Sequence, residues 1–268
     1  MTETTPTLTR AANGRPAAPV RIVHLGVGNF FRAHQAWYTE HAADAAEWGI
    51  AAFTGRSAAI ADALRPQDGL YTLITRTAEG DEFEVISSLS AVHAADEYEA
   101  LLGHFRSPEL AIVTLTVTEA GYRRRADGSL DQNDPAVAAD LAALRGSADA
   151  PVATAPARIV AGLIARRAAG VGPLAILPCD NLPGNGEALA RVVGEFAVLI
   201  DPSLTAWMFD NVAFGTTMVD RITPATTAEH RAAVRAALGV NAAAPVPTEP
   251  FAEWVIQGEF PAGRPAWA

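Results

Sequence analysis

The 268-residue sequence contains no lysine; all 20 of its basic residues are arginine. It has one cysteine, Cys179, which excludes an intrachain disulfide and a cysteine zinc cluster. Positive charge is scarce: 30 acidic residues bring the formal net charge to -10. The basic face that nucleic-acid binding requires is therefore not expected. The one basic run, Arg123-Arg124-Arg125, adjoins Asp127 in a polar stretch and reads as a solvated turn. No apolar stretch approaches the length of a membrane span. The first stretch, "MTETTPTLTRAANGRPAAP", lacks the apolar core of a secretion signal and reads as a flexible leader over residues 1–19. His24, His41, His93, His104 and His230 show no metal-ligand spacing, and no Gly-x-Ser-x-Gly elbow occurs. Neither a metal centre nor a serine hydrolase is expected. These absences point to a cytoplasmic protein with neither nucleic acid nor membrane as partner.

What is present is an alternation of apolar runs and amphipathic segments from residue 20 onward, which predicts a mainly parallel sheet flanked by helices, an α/β fold. Strands are expected at 21–25, 48–55, 109–118 and 173–180, and at 213–224 a strand running into a loop. Helices are expected at about 32–46 and at 57–65, 134–146, 156–170, 185–200 and 228–238, with Asn185 as a plausible N-cap. Two β-rich runs, "LYTLITRT" and "DEFEVISSLSAV", flank the turn signal Glu79-Gly80-Asp81 and predict an inserted β-hairpin. No internal repeat and no linker dividing two domains is visible, so residues 20–268 read as one domain.

The stretch "RIVHLGVGNFFRAHQ" at 21–35 sets the chemical question. An apolar strand ends in Gly26-Val27-Gly28 and a helical pattern follows, the context in which a glycine turn and a helix N-terminus hold a pyrophosphate. Phe31 stands where the third glycine of G-x-G-x-x-G would be. Gly26, Val27, Gly28, Asn29 and Phe30 are the candidate contacts, with Arg32 reaching either the pyrophosphate or a substrate group. At the end of the second strand, where a carboxylate would bind the ribose of NAD, the sequence reads Thr54-Gly55-Arg56-Ser57. Arg56 either holds a 2′-phosphate or is a solvated helix-start residue. NAD and NADP both remain open. Arg32 and His34 could form an acid-base pair, but His34 in a helix reads as a packing or hydrogen-bonding residue.

Four further stretches carry a family resemblance: "LTVTEAGY" (115–122), "PCDNLPGNG" (178–186), "MVDRITP" (218–224), and "EPFAEWV" with "AGRPAW" (249–255, 262–267). Together with "GVGNFFRAHQ", the sequence resembles the polyol-specific long-chain dehydrogenases, which include mannitol 2-dehydrogenase and the fructuronate and tagaturonate reductases. The resemblance implies a Rossmann-like domain that binds NAD or NADP. It also implies hydride transfer, without a metal, at a secondary alcohol of a polyol or sugar acid. In that family a helical C-terminal domain carries the catalytic lysine, in a Lys-x-x-x-x-Asn-x-x-His pattern. The sequence stops after the Gly-Arg-Pro-x-Trp stretch, so this domain is expected to be absent, with residues 245–268 as the start of the connection to it.

The resemblance assigns Asn181 to support of the alkoxide or ketone oxygen; the bland alternative is an Asx turn before Pro183-Gly184. Thr118 and Glu119 fall at a strand end where nicotinamide would sit, or they cap the next segment. Asp180 is expected to position its loop, and Asp220 and Arg221 either form an ion pair or shape the substrate cleft. Phe251, Trp254, Val255 and Trp267 form an apolar set expected to be exposed, promoting self-association or docking of a second chain that supplies the helical domain. Two alternatives stand beside the dehydrogenase reading: a cofactor-binding half of a split or truncated enzyme, inactive alone, and an enzyme of the mannitol-1-phosphate 5-dehydrogenase type.

Overall fold

In the computed structural model, residues 5–267 are described. The predominantly apolar runs become strands of one sheet: β1 (Val20–Leu25), β2 (Gly49–Phe53), β5 (Leu89–His93), β6 (Ile112–Leu115), β7 (Leu174–Pro178) and β8 (Val212–Phe214). β2, β6 and β7 are buried at every position, as strands covered on both faces must be. The sheet order is β5-β2-β1-β6-β7-β8. Pairings β1 with β2, β2 with β5, β6 with β7 and β7 with β8 are all parallel. Counted by themselves in chain order, these strands run 3-2-1-4-5-6, the doubly wound order of dinucleotide-binding domains.

The remaining strands are β3 (Tyr71–Thr77), β4 (Gly80–Ile86), β9 (Thr216–Asp220), β10 (Val246–Thr248) and β11 (Glu253–Gln257). β3 and β4 form the expected antiparallel hairpin, in register from Tyr71 opposite Ile86 to Thr77 opposite Gly80, and β10 adds in parallel to β3. The run "DEFEVISSLSAV" is therefore two strands. It breaks at Ser87-Ser88, and its second part leaves the hairpin to join β2. β9 pairs with β11.

The helices are α1 (Arg10–Asn13), α2 (Asn29–Ala33), α3 (Gln35–Glu40), α4 (Ala59–Leu64), α5 (Tyr98–Arg106), α6 (Pro135–Gly146), α7 (Ala155–Ala168), α8 (Asn185–Ile200), α9 (Pro202–Asn211) and α10 (Ala228–Leu238). α6 and α7 begin where sequence signals say they should. Asp134 caps the N–H groups of Ala136 and Val137, Thr154 caps that of Ala157, and each helix has proline in its first turn.

By internal contact the chain forms two compact units. One runs to Ala95 and takes in Asp220–Glu253 and the stretch from Pro265; the other comprises Asp96–Val219 and Trp254–Arg264.

Several expectations are corrected. The helix expected at 32–46 is two short helices, broken at His34, whose backbone (φ -121°, ψ -91°) lies outside the helical region. His34 Nε2–H donates to the Glu253 carbonyl (2.8 Å) and the ring stacks on Phe30, and these contacts hold the break. Asn185 is not the N-cap of α8. Gly184 occupies that position at φ +65°, and the Asn185 side chain is buried among backbone groups. Of the expected leader, residues 5–19 are tied down. Leu8 is fully buried with Leu70, Ile74 and Val234, and the Arg10 guanidinium donates to the Ser87 and Leu89 carbonyls. Residues 1–4 lie outside the described residues. The last stretch does more than lead outward: it supplies β10 and β11, and Trp267 is buried with its Nε1–H donating to Thr39. Phe251 and Val255 are about half exposed, at 52% and 54%. α9, β10 and β11 were not legible in the apolar pattern.

Candidate functional site

The glycine turn follows β1. Gly26 donates its N–H to the Phe53 carbonyl (2.8 Å), so the turn starts in register with the end of β2. Its φ of +113° lies where side chains are strained, which requires glycine. Gly28 has an ordinary φ of -87° and is the N-cap residue of α2. A Cβ built there would meet no atom within 4 Å. No neighbour inside the protein demands glycine at this position; what glycine does is leave the backbone bare toward open space.

Side chains buried beneath the turn hold it. His24, in β1, places Nε2 2.6 Å from the Gly26 carbonyl and stacks face to face on Phe31, with ring centres 3.5 Å apart and planes 6° apart. Burial pushes its pKa down to about 3, so the ring is neutral and the Nε2–H donates. Phe31, fully buried, fills the place of the third glycine by this stack. Arg32 is buried, and its guanidinium donates to the carbonyls of Gly28 (3.3 Å) and Ala244 (2.6 Å) and to Asn29 Oδ1 (2.6 Å). Asn29 in turn donates to the Pro224 carbonyl (2.8 Å). The expectation that Arg32 reaches a pyrophosphate or substrate is thus corrected: the side chain is buried, and each of its three nitrogens donates to a group that shapes the turn. The inserted hairpin contributes too, because the buried Tyr71 hydroxyl donates to the Arg32 carbonyl (2.5 Å).

Asp220 and Arg221 do not pair with one another. Asp220 is exposed, whereas Arg221 is buried and donates to the carbonyls of Ala33 (2.5 Å) and Glu249 (3.2 and 3.3 Å) and lies over the Trp37 ring. The carbonyl at the end of α2 takes the Arg221 cation, while Asp220 ends β9 facing solvent. His34 is also buried, with its pKa lowered to about 4 chiefly by burial, and is neutral near pH 7. At the end of β2, Thr54 is buried and accepts from the Ala95 N–H (3.0 Å). Gly55, Arg56 and Ser57 are exposed, and the Arg56 guanidinium has no hydrogen bond or ion pair among the described residues.

In the other unit, the loop after β7 is built the opposite way. The Asp180 carboxylate accepts from the buried Tyr122 hydroxyl (2.5 Å) and from the Leu182 N–H (3.0 Å). The Asx turn therefore belongs to Asp180. Burial and this carboxylate drive the Tyr122 phenol pKa far above its ordinary value. Asn185, fully buried, donates to the Pro178, Asp180 and Thr217 carbonyls and accepts from the Thr217 N–H. These bonds leave Asn181 exposed, and its amide has no hydrogen bond among the described residues. Thr118 and Glu119 are exposed; Glu119 pairs with Arg124 (2.6 Å), and Thr118 makes no side-chain cap on the turn it precedes. Among the described residues, no group of three or more His, Cys, Asp or Glu side chains is placed to hold a metal ion.

His24, Tyr122 and Asn185 escaped the sequence reading as site-shaping residues. The signal for His24 is a polar residue flanked by Val23 and Leu25 in the buried part of β1; Tyr122 and Asn185 lie within the family-like stretches 115–122 and 178–186.

The family profile described as the mannitol dehydrogenase Rossmann domain matches residues 20–268. A D-mannonate oxidoreductase of Escherichia coli (strain K12) is 40% identical over 257 residues, covering 92% of this chain and 51% of that protein. A mannitol 2-dehydrogenase of Cereibacter sphaeroides is 40% identical over 268 residues, covering 98% of this chain and 55% of that protein. A solved structure, the Pseudomonas fluorescens mannitol 2-dehydrogenase ternary complex with NAD and D-mannitol, superposes with a TM-score of 0.86 at 38% identity, covering 98% of this chain and 53% of that one. The chain spans about half the length of the curated relatives it matches. A doubly wound sheet with a bare glycine turn after its first strand, and a profile match from residue 20 onward, make this chain a member of the mannitol dehydrogenase family, corresponding to the family's Rossmann domain.

Proposed function

We propose that the chain is the NAD(P)-binding part of an oxidoreductase acting on a secondary CH–OH group of a polyol or sugar acid in the cytoplasm. The observation that carries this reading is the turn Gly26–Gly28: its backbone is bare at Gly28 and its shape is held from beneath. The residues fit a dinucleotide. The first N–H groups of a helix have no partner within it and favour an anion, and Gly28 opens that position without a side chain in the way. The end of β2 offers an exposed arginine and a serine hydroxyl where an NAD site would offer a carboxylate, which supports acceptance of the 2′-phosphate of NADP.

A bound dinucleotide would supply the hydride acceptor or donor for the reaction. Asn181 presents an exposed amide that can donate to the substrate oxygen as charge develops on it. Asp180 holds the Asn181 loop without facing substrate itself. Oxidation of an alcohol also needs a proton acceptor. The chain has no lysine, and His34 is buried and committed to the Glu253 carbonyl, so in this reading the acceptor is none of these groups. The names of the relatives, D-mannonate oxidoreductase and mannitol 2-dehydrogenase, support the substrate class. Titration of the purified chain with NADH and NADPH, followed by calorimetry and nicotinamide fluorescence, tests the reading. Saturable one-to-one binding of at least one of them is expected; binding of neither overturns it.

A further inference from the structure

We infer that His24 is a positioning residue for the dinucleotide: through its hydrogen bond to the Gly26 carbonyl it turns the next peptide so that the Val27 N–H faces the ligand side. The inference rests on the proposed dinucleotide site and adds a residue to it. Three observations meet at this point. The Gly26 carbonyl is bound from within the domain by His24 Nε2 at 2.6 Å. The Gly26 N–H is fixed by Phe53, so both backbone groups of this residue have defined partners. The peptide linking Gly26 and Val27 is trans, and in a trans peptide the C=O and the following N–H point in opposite directions. A carbonyl drawn inward to a fully buried imidazole therefore sends the Val27 N–H the other way.

The imidazole itself has little freedom. Its face is stacked on Phe31, which is fully buried and belongs to α2, the helix that the turn opens. The aromatic residue that replaced the third glycine is thus the platform that fixes the donor for the first. One stack links strand, turn and helix, and a change in either ring is transmitted to the peptide between Gly26 and Val27. This also accounts for a polar residue in the fully buried part of β1: a buried neutral imidazole is tolerated because its N–H has a carbonyl to satisfy.

The test separates this role from a general stabilising one. His24→Phe keeps a flat ring for Phe31 and removes the donor; His24→Gln keeps a donor and removes the ring. Binding of ADP-ribose, which carries the pyrophosphate, and of adenosine, which does not, is measured by calorimetry and NMR titration, with Tm recorded for each variant. His24→Phe is expected to weaken ADP-ribose about tenfold and adenosine less than twofold, since one charge-assisted N–H contact is misdirected. His24→Gln is expected to recover part of that loss. Equal losses for both ligands, or unchanged ADP-ribose affinity in a folded variant, overturn the inference. If neither variant folds, the 15N shifts of the imidazole in the unaltered chain decide: protonation at Nε2 is expected, and a ring protonated at Nδ1 alone overturns it. Failure of the unaltered chain to bind ADP-ribose would instead count against the dinucleotide reading.

Discussion

The turn after β1 and the loop after β7 both follow the C-terminal end of a parallel strand, yet they are made by inverse means. After β1, buried side chains (His24, Arg32, Arg221, Tyr71) donate to backbone carbonyls, and what reaches the surface is bare backbone at Gly28. After β7, buried Tyr122 and Asn185 tie down Asp180 and its neighbours, and what reaches the surface is one side-chain amide, Asn181. A pyrophosphate at a tight turn is met at close range by backbone N–H groups, which a side chain on the turn would cover. A site acting on one substrate oxygen needs a single donor held at a set angle. The difference teaches that polar burial here serves presentation: arginines in the turn are fixtures, however inviting their charge.

The strongest way to break the comparison is Gly28→Asp. Its side chain would enter open space, so Tm should change little, while a carboxylate beside the pyrophosphate should lower dinucleotide affinity by more than about 100-fold. Calorimetry checks the binding and thermal unfolding the fold. A variant that still binds NADH or NADPH normally would show that this turn is not the phosphate site.

Acid should distinguish the two regions next. His24 and His34 have pKa values lowered to about 3 and about 4, below the ordinary value of about 6.5, so the unfolded chain takes up protons that the folded chain refuses. Their contribution to stability is complete above about pH 6.5 and is lost as pH falls toward 4. At pH 5 the loss is about 2 kcal/mol for each histidine. Urea unfolding at pH 7 and 5 measures it, and His24→Phe should flatten the decline. Hydrogen exchange at pH 5 should accelerate around residues 24–34 before it does around 180–185; the reverse order would contradict the assignment of these rings as the acid-sensitive part.

Arg56 is the exception among the arginines near the turn, being exposed and unpaired among the described residues. Arg56→Ala should weaken NADPH by roughly 1.5–3 kcal/mol, about ten- to a hundredfold, and leave NADH within about twofold. Parallel titrations decide it, and equal losses for both would remove the 2′-phosphate role.

The smallest effect is expected at Tyr122→Phe. It deletes the hydroxyl that donates to Asp180 and should cost about 1 kcal/mol of stability. Dinucleotide affinity should stay within about twofold, because the phenol serves the Asn181 loop and not the glycine turn. A large loss of NADH binding would mean that the two constructions are less independent than their hydrogen bonds imply.

Much of this was legible from the chain. Strands such as 174–178 announce themselves because both faces are buried and every residue is apolar. α10 announces itself by its capping residue Thr227 and by Gly239, at φ +66°, where it ends. The glycine turn was legible because its sequence context, strand then helix, is local. What escaped depends on contacts distant in sequence. Arg32 looks like an anion ligand until Ala244, 212 residues away, takes its guanidinium. Asn185 looks like a helix cap until Thr217 and Pro178 surround its amide. Trp267 looks exposed until Thr39 accepts its N–H.

Local sequence is enough to specify the alternation of strands and helices, the glycine turn after β1 and the family. These rest on periodicity, on composition and on motifs read within a few residues. The tertiary structure alone decided which polar groups face solvent and which are consumed inside. A buried donor must find an acceptor or forfeit its hydration, and for His24, Arg32, Arg221 and Tyr122 that acceptor is a carbonyl or carboxylate brought close only by the fold.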